Sequence, residues 1–219
     1  MLAERIQQVE ERIQNAACRA GRKREEITLI AVTKIFPASA IREAYELGLR
    51  HFGENYVQEF AGKRPELGGL SEATYHLIGH LQSNKSKIAA DLFQVIQTVD
   101  SAKLARRLSE CGHSLEVMIE VKVSGEGSKS GAAVEELPAL VDAIRALPDV
   151  NLTGLMTMPP WSEDAELSRP YFRRLRELAQ AHGLPHLSMG MSHDLEVAIE
   201  EGATHVRVGT ALFGPRKYT

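Results

Sequence analysis

The sequence predicts an α/β fold: a single closed (β/α)8 barrel of parallel strands, preceded by an extra N-terminal helix. Short apolar runs alternate with amphipathic helical patterns along nearly the whole chain, and about eight such steps can be counted. A chain of 219 residues is long enough for one such barrel, which needs about 200 residues or more. The alternative is an open doubly wound sheet, which usually has fewer strands.

The N-terminal helix is predicted from a single apolar face, whose residues recur at steps of three and four. They are Leu2, Ile6, Val9, Ile13 and Ala17, and Gly21 is expected to end the helix. The strands are predicted at 27–33, 50–52, 75–78, 93–97, 115–123, 152–156, 186–189 and 205–208. The helices between them are predicted at 37–47, 56–63, 85–90, 102–110, 134–146, 165–181 and 195–200. Because no Pro- or Ser-rich linker divides the chain, residues 1–219 are expected to form one domain.

Composition indicates a soluble globular protein, with 43% hydrophobic and 25% charged residues. A net charge of −3 gives no general reason to expect binding to nucleic acid or to an anionic membrane. No apolar stretch approaches the roughly 20 residues that span a bilayer, and the N-terminus lacks the apolar core of a secretory signal. Cys18 and Cys111 are far apart and in no CxxC pattern, so we expect free thiols in a reducing, cytoplasmic compartment.

Polar, glycine-rich segments follow most of the predicted strands. In a (β/α)8 barrel the active site lies at the carboxyl ends of the strands, and phosphate commonly binds after strands seven and eight. Glycine and serine also simply mark turns, but that explanation accounts for one or two of these segments and not for the set. The sequence therefore predicts a functional site at this end of the barrel.

Lys34 follows the apolar run of the first predicted strand. A lysine at such a strand tip offers an amine that can form a Schiff base with an aldehyde. The alternative is a surface lysine that happens to follow a strand. In a closed barrel the first and last strands are neighbours, so Lys34 would lie near the segment that ends the last strand.

Candidate phosphate ligands follow strands seven and eight. Gly209 and Thr210 offer backbone N–H groups and a hydroxyl at the start of a turn. Ser192 precedes the helix predicted at 195–200, where its role could be helix capping alone, and Ser188 is a weaker candidate. The segments therefore indicate a pocket for an aldehyde that carries a phosphate.

Arg207 would point into the barrel mouth if Lys34 does, although this depends on the strand register. An inward arginine needs an acceptor, which the ring nitrogen of a ligand could supply. Asn55 and His80, in the loops after strands two and three, are lesser candidates, and a histidine in a glycine-flanked loop is often only a turn residue.

Several better-known motifs are absent. The segment 125–131 resembles a P-loop but lacks the G-x-x-x-x-G-K-[ST] order, and no GxGxxG follows a strand. There is no HExxH, no carboxylate–histidine cluster at metal spacing and no GxSxG nucleophile elbow. We therefore expect no metal site.

The sequence resembles the pyridoxal phosphate homeostasis protein family, single-domain relatives of the alanine racemase N-terminal barrel. The matching segments lie at 31–34, 52–59, 76–85, 128–131, 154–156, 187–192 and 206–214, in the expected order over nearly the whole chain. One departure is His193-Asp194, where an acidic pair is more usual.

This resemblance implies a barrel of the alanine racemase type (fold type III of the pyridoxal phosphate proteins) that binds pyridoxal 5′-phosphate (PLP) as an aldimine on Lys34. It implies phosphate contacts from Ser192, Gly209 and Thr210, with Arg207 facing the pyridine nitrogen. It further implies a role in balancing cellular vitamin B6, by holding PLP and delivering it to apo PLP enzymes, without established catalytic turnover.

The residues expected around the cofactor favour a PLP carrier over an enzyme, so we assign no catalytic residues. An arginine beside the pyridine nitrogen disfavours the protonated ring, which weakens the electron sink that PLP enzymes use. We also expect this protein to lack the second domain that supplies an opposing tyrosine in alanine racemases. The alternatives are a weak racemase or transaminase, a Schiff-base aldolase acting on a sugar phosphate, and a barrel without a ligand. A monomer is expected, and a second linkage on Lys129 during transfer is a hypothesis.

Overall fold

Eight parallel strands close into a barrel in the computed structural model, which describes residues 1–124 and 130–215. Their order is β4-β3-β2-β1-β9-β8-β7-β5, and pairing of β4 with β5 closes the ring. The strands are β1 (Thr28–Val32), β2 (His51–Glu54), β3 (Thr74–Leu77), β4 (Val95–Val99), β5 (Leu115–Lys122), β7 (Val150–Met156), β8 (His186–Met191) and β9 (His205–Val208). A two-residue strand, β6 (Ala132–Ala133), pairs with β5 alone. The predicted (β/α)8 barrel is confirmed and the open sheet is wrong. The hypothesis about Lys129 concerns a residue outside the described ranges.

The helices cover the outside of the barrel and follow the predicted order. They are α1 (Leu2–Arg19), α2 (Ala38–Glu46), α3 (Val57–Lys63), α4 (Ser86–Leu92), α5 (Ala102–Ser109), α6 (Leu137–Arg145), α7 (Arg169–Ala181), α8 (Leu195–Glu200) and α9 (Thr210–Phe213). Short 3-10 turns lie at Arg24–Glu26, Arg64–Leu67, Ser83–Lys85, Val134–Glu136 and Ala165–Ser168. Among the described residues, none of the helices combines the length and apolarity required to cross a bilayer.

The predicted boundaries hold to within a few residues, and the main differences have local causes. The segments predicted as continuous helices from 134 and from 165 begin instead as 3-10 turns. Pro138 and Pro170 stand in the first turn of the α-helices that follow. Proline favours this position because its φ suits a helix start and its missing N–H has no intrahelical partner there.

The N-terminal helix α1 packs against α8 and α9, beside the carboxyl end of the last strand. Its buried face consists of Val9, Ile13, Ala16 and Ala17, as the apolar spacing predicts. The chain then turns at Gly21, whose φ of +66° lies in the left-handed region that glycine adopts without strain. The extra helix thus braces the end of the barrel that carries Ser192 and Thr210.

Strand residues alternate between the helix layer and the inside of the barrel. In β9, Val206 and Val208 belong to the apolar core under the helices, whereas His205 and Arg207 face inward. The amino ends of three strands bring His51, His186 and His205 together inside the barrel.

These histidines meet His76, whose Nε2 lies 2.9 Å from Nδ1 of His51. The rings of His186 and His205 lie 5.1 Å apart. Burial lowers the pKa of His205 to about 3 and that of His76 well below its usual range. His76 and His205 are therefore neutral at neutral pH. In the ranges the structure describes, no three metal-ligating side chains form a group that could hold a metal ion.

Candidate functional site

A cavity of about 710 Å³ opens at the carboxyl ends of the strands. It lies within the size range of small-molecule sites. Six of the eight candidate residues from the sequence line it: Lys34, Asn55, Ser192, Arg207, Gly209 and Thr210. The weaker candidate Ser188 is completely buried inside the barrel and does not line it. The remaining lining residues are Val32, Ile78, Met158, Trp161, Met191, His193 and Ala211.

Lys34 lies in the turn between β1 and α2, two residues beyond the end of the strand. Strand β1 is the parallel neighbour of β9, with Ile30 opposite Arg207, so the first and last strands meet as predicted. A Cβ placed on Gly209 would lie 3.4 Å from Cβ of Val32. The tip of β1 and the turn after β9 are therefore in direct contact, with the lysine on one side of the cavity mouth.

The turn after β9 leads directly into the short helix α9, which begins at Thr210. The first N–H groups of a helical turn have no partner within the helix, so they are available to an anion. The hydroxyl of Ser192 reaches this turn and accepts a hydrogen bond from the N–H of Ala211 at 3.3 Å. The alternative that Ser192 only caps helix α8 is wrong, because the N-cap of α8 is Asp194.

Two side chains hold the loop that carries Ser192. The buried carboxylate of Asp194 accepts hydrogen bonds from the N–H of Met191 at 2.7 Å and from the hydroxyl of Ser168 at 3.0 Å. From α1, Arg12 donates to the carbonyl of Ser192 at 2.9 Å and forms a bidentate pair with Glu196. The loop is thus tied both to the helix layer and to the N-terminal helix.

Arg207 lines the cavity but is almost completely buried, with 3% of its surface exposed. Its guanidinium donates to the hydroxyl of Ser188 at 2.7 Å and to the carbonyl of Thr157 at 2.9 Å. Burial lowers the pKa of Arg207 to about 10, so the group stays charged at neutral pH. The protein itself therefore supplies two of the acceptors that the arginine needs, where the sequence suggested a ligand atom.

Asn55 lies between this cavity and a second one of about 310 Å³. Its Oδ1 is buried and, within the described ranges, has no hydrogen-bond partner. The backbone of Asn55 also explains why position 79 is a glycine. A Cβ on Gly79 would lie 2.2 Å from the carbonyl oxygen of Asn55.

His80 does not line the larger cavity. It lines the second one, with 52% of its side chain exposed and Nδ1 lying 3.8 Å from Oδ2 of Asp100. The structure thus separates His80 from the six candidate residues that line the larger cavity.

Sequence reasoning missed the apolar rim of the cavity. Met158 and Trp161 follow β7 and are 45% and 74% exposed, and the Trp161 ring lies 6.3 Å from that of His193. The lone tryptophan after two prolines is the only sequence feature that could have drawn attention to this rim.

Fold and cavity define a (β/α)8 barrel with a lysine and the start of a helical turn at the carboxyl ends of neighbouring strands. Comparison with known proteins agrees. The family described as "Alanine racemase, N-terminal domain" matches residues 5–217. An alanine racemase from Corynebacterium glutamicum shares the fold, with a TM-score of 0.70 and 18% identity over 95% of this chain and 60% of that chain.

Relatives of full length are much more similar. A pyridoxal phosphate homeostasis protein from Pseudomonas aeruginosa is 50% identical over 99% of this chain and 96% of its own length. One from Escherichia coli is 44% identical over 100% of this chain and 98% of its own length. PipY of Synechococcus elongatus, solved with PLP bound, has a TM-score of 0.84 and 40% identity over 98% of this chain and 100% of that chain. The chain belongs to the alanine racemase N-terminal domain family, among the pyridoxal phosphate homeostasis proteins.

Proposed function

We propose that this protein binds PLP in the cavity at the carboxyl ends of the strands and takes part in PLP homeostasis. Lys34 is the covalent anchor in this proposal. The observation that carries it is the meeting of the Lys34 turn with the Gly209–Thr210 turn across β1 and β9, on one cavity. The PLP bound to PipY, a relative at 40% identity, supports it.

The chemistry of the lining residues fits this cofactor. Bound PLP supplies an aldehyde that a primary amine can attack, together with a phosphate and a pyridine ring. We assign the phosphate to the hydroxyls of Ser192 and Thr210 and the N–H groups at Gly209. Arg207 is assigned to the ring nitrogen, and the buried Oδ1 of Asn55 is an acceptor for a polar substituent. His80, in the adjoining cavity, is kept only as a peripheral contact.

We further propose that the protein holds and releases PLP without catalytic turnover. Arg207 stays charged, and a positive charge beside the pyridine nitrogen disfavours protonation of the ring. A ring that stays neutral is a weaker electron sink, which suits storage better than amino-acid chemistry. The proposal includes a cytoplasmic monomer that forms one domain and delivers PLP to apo enzymes. The names of the homeostasis relatives support the general role in PLP homeostasis.

The first experiment is an absorption spectrum of the wild type and Lys34→Ala, with and without borohydride. Wild-type protein should absorb at about 420 nm, the range expected for PLP bound to an amine. Borohydride should reduce the Schiff base and leave the cofactor permanently attached to Lys34. Lys34→Ala should lose both. Lys85→Ala, which changes a lysine of the adjoining cavity, is the matched control and should keep both. A band that survives in Lys34→Ala, or a label on another lysine, would refute the assignment.

A second experiment separates carrier from enzyme. The PLP-loaded protein is incubated with single amino acids, and racemised and keto-acid products are measured against a blank with free PLP. We expect no product above that blank, and transfer of PLP to an added apo enzyme. Product formed in many turnovers per site would replace the carrier proposal by a racemase or transaminase.

A further inference from the structure

We propose that Glu59 is a positioning residue for Lys34: its carboxylate holds the next peptide in a left-handed conformation that directs the lysine. This inference rests on the proposed function, since it concerns how the anchor lysine is presented. Glu59 lies on α3 and does not line the larger cavity. It acts through the turn that contains Lys34.

The turn after β1 contains an unusual backbone. Ile35, directly after Lys34, has a φ of +66° and is the sole non-glycine residue with positive φ in the ranges 1–124 and 130–215. A β-branched side chain disfavours this conformation strongly, so it persists only where the surroundings enforce it. Such strain is typical of functional sites, where it places a neighbouring group.

Glu59 supplies the enforcing contact. Its Oε1 accepts a hydrogen bond from the N–H of Ile35 at 2.6 Å, from 24 residues further along the chain. Bonds between a backbone N–H and an ionised carboxylate are stronger than those between neutral groups. The Ile35 side chain cannot provide the restraint by burial, because the residue is 45% exposed.

A buried lysine locks Glu59 in place. Nζ of Lys63, one helical turn further on, lies 2.6 Å from Oε1 of Glu59 and 3.0 Å from Oε1 of Glu54. It also donates to the carbonyl of Thr33 at 2.9 Å. The Lys63 ammonium thus donates hydrogen bonds to Thr33 and to both oxygens of Glu54, and it holds the Glu59 carboxylate as an ion pair.

The same cluster holds the residue on the other side of Lys34. Thr33 is completely buried, and its hydroxyl donates to Glu54 at 2.7 Å. Its N–H donates to the carbonyl of Gly53 at 3.0 Å. Both neighbours of Lys34 are therefore fixed by groups on β2 and α3, and the Cα–Cβ direction of the lysine follows from them.

The test measures how fast the apo protein captures PLP covalently, by growth of the absorption band and by borohydride trapping. Glu59→Ala should capture PLP more slowly by about 10- to 100-fold, because small errors in the position of a reacting group have effects of this size. Glu59→Gln keeps an oxygen acceptor and should lie between wild type and Glu59→Ala. Glu66→Ala, which changes an exposed glutamate just after α3, is the matched control and should capture PLP at the wild-type rate.

A rescue variant separates positioning from stability. Glycine adopts positive φ without strain, so Ile35→Gly in the Glu59→Ala background should restore much of the capture rate. If Glu59 only stabilised the fold, Ile35→Gly would not restore the capture rate, because an added glycine makes the chain more flexible. In the wild type, the amide proton of Ile35 should resonate downfield because of its charged acceptor, and should move upfield in Glu59→Ala.

The outcomes distinguish this inference from the proposed function. Capture by Glu59→Ala at the wild-type rate, or slow capture that Ile35→Gly does not restore, would overturn the positioning role while leaving the cofactor proposal standing. Failure of the wild type to capture PLP on Lys34 would overturn the proposed function and this inference with it.

Discussion

Removing the hydroxyl of Ser188 should destabilise the protein far more than its size suggests. Ser188 is completely buried inside the barrel and links two polar side chains. It accepts a hydrogen bond from Arg207 at 2.7 Å and donates one to Oε1 of Gln97 at 2.6 Å. Gln97 in turn contacts Nδ1 of His76 at 3.1 Å. A chain of hydrogen bonds therefore runs from the histidine cluster to the arginine at the cavity.

The magnitude follows from the two bonds that Ser188→Ala removes. A hydrogen bond to a charged group contributes about 1.5–3 kcal/mol, and a neutral one contributes about 1 kcal/mol. Water cannot readily replace either, because Ser188 and Arg207 are both buried. We therefore expect the free energy of unfolding to fall by about 3 kcal/mol.

Urea unfolding at neutral pH, followed by circular dichroism, measures this loss. The midpoint should fall with an unchanged m-value, since the surface exposed on unfolding is the same. Ser71→Ala is the control, because Ser71 is exposed, and it should change stability by less than about 0.5 kcal/mol. A loss below about 1 kcal/mol for Ser188→Ala would refute the reasoning that this hydroxyl satisfies the buried arginine.

Three further predictions follow from the same structure. Burial depresses the pKa of His76 in the folded state, so below pH 6.5 the unfolded chain binds more protons. As the pH is lowered through this range, the free energy of unfolding should fall by about 1.4 kcal/mol per pH unit for each such histidine. In urea titrations at several pH values, His76→Gln should make this dependence on pH less steep. An unchanged pH dependence in the variant would contradict the prediction. Gly79→Ala should lower the free energy of unfolding, measured by thermal unfolding, by about 3 kcal/mol, because the new Cβ would lie 2.2 Å from a backbone oxygen. Gly68→Ala is the control, since a Cβ there meets open space, and it should leave stability nearly unchanged. Equal effects of the two substitutions would contradict the close approach at Gly79. Arg12→Ala removes the hydrogen bond to the carbonyl of Ser192 and should raise the Kd for PLP about tenfold, which is about 1.4 kcal/mol, in a fluorescence titration. An unchanged Kd would show that this hydrogen bond does not support the phosphate site.

The fold could be predicted because its evidence is local. Apolar period and length distinguish strands from helices, and eight alternations leave few topologies open. The two proline-led helix starts were misplaced by a few residues because a 3-10 turn and an α-helix share nearly the same apolar spacing. The strand β6 has two residues, too few to show a period.

The site was predicted in part for a geometric reason. The carboxyl ends of parallel strands meet at one end of a barrel, so residues after β1, β2, β8 and β9 converge on one cavity wherever they stand in sequence. His80 lies outside that cavity because the loop after β3, beyond Ile78, leads into the adjoining one. No rule based on residue spacing predicts whether a loop at this end of the barrel leads into the larger cavity or into the adjoining one.

By itself, the sequence determined the barrel and the end at which Lys34, Ser192 and Thr210 meet, because both follow from periodicity and strand polarity. Only the tertiary structure decided how these residues are held. The acceptors of Arg207 come from strand β8 and from Thr157, just after β7, and the restraint on Ile35 comes from helix α3. Such contacts depend on strand register and on the conformation of single peptides. An isoleucine with positive φ runs against local preference, so only packing from distant parts of the chain can impose it.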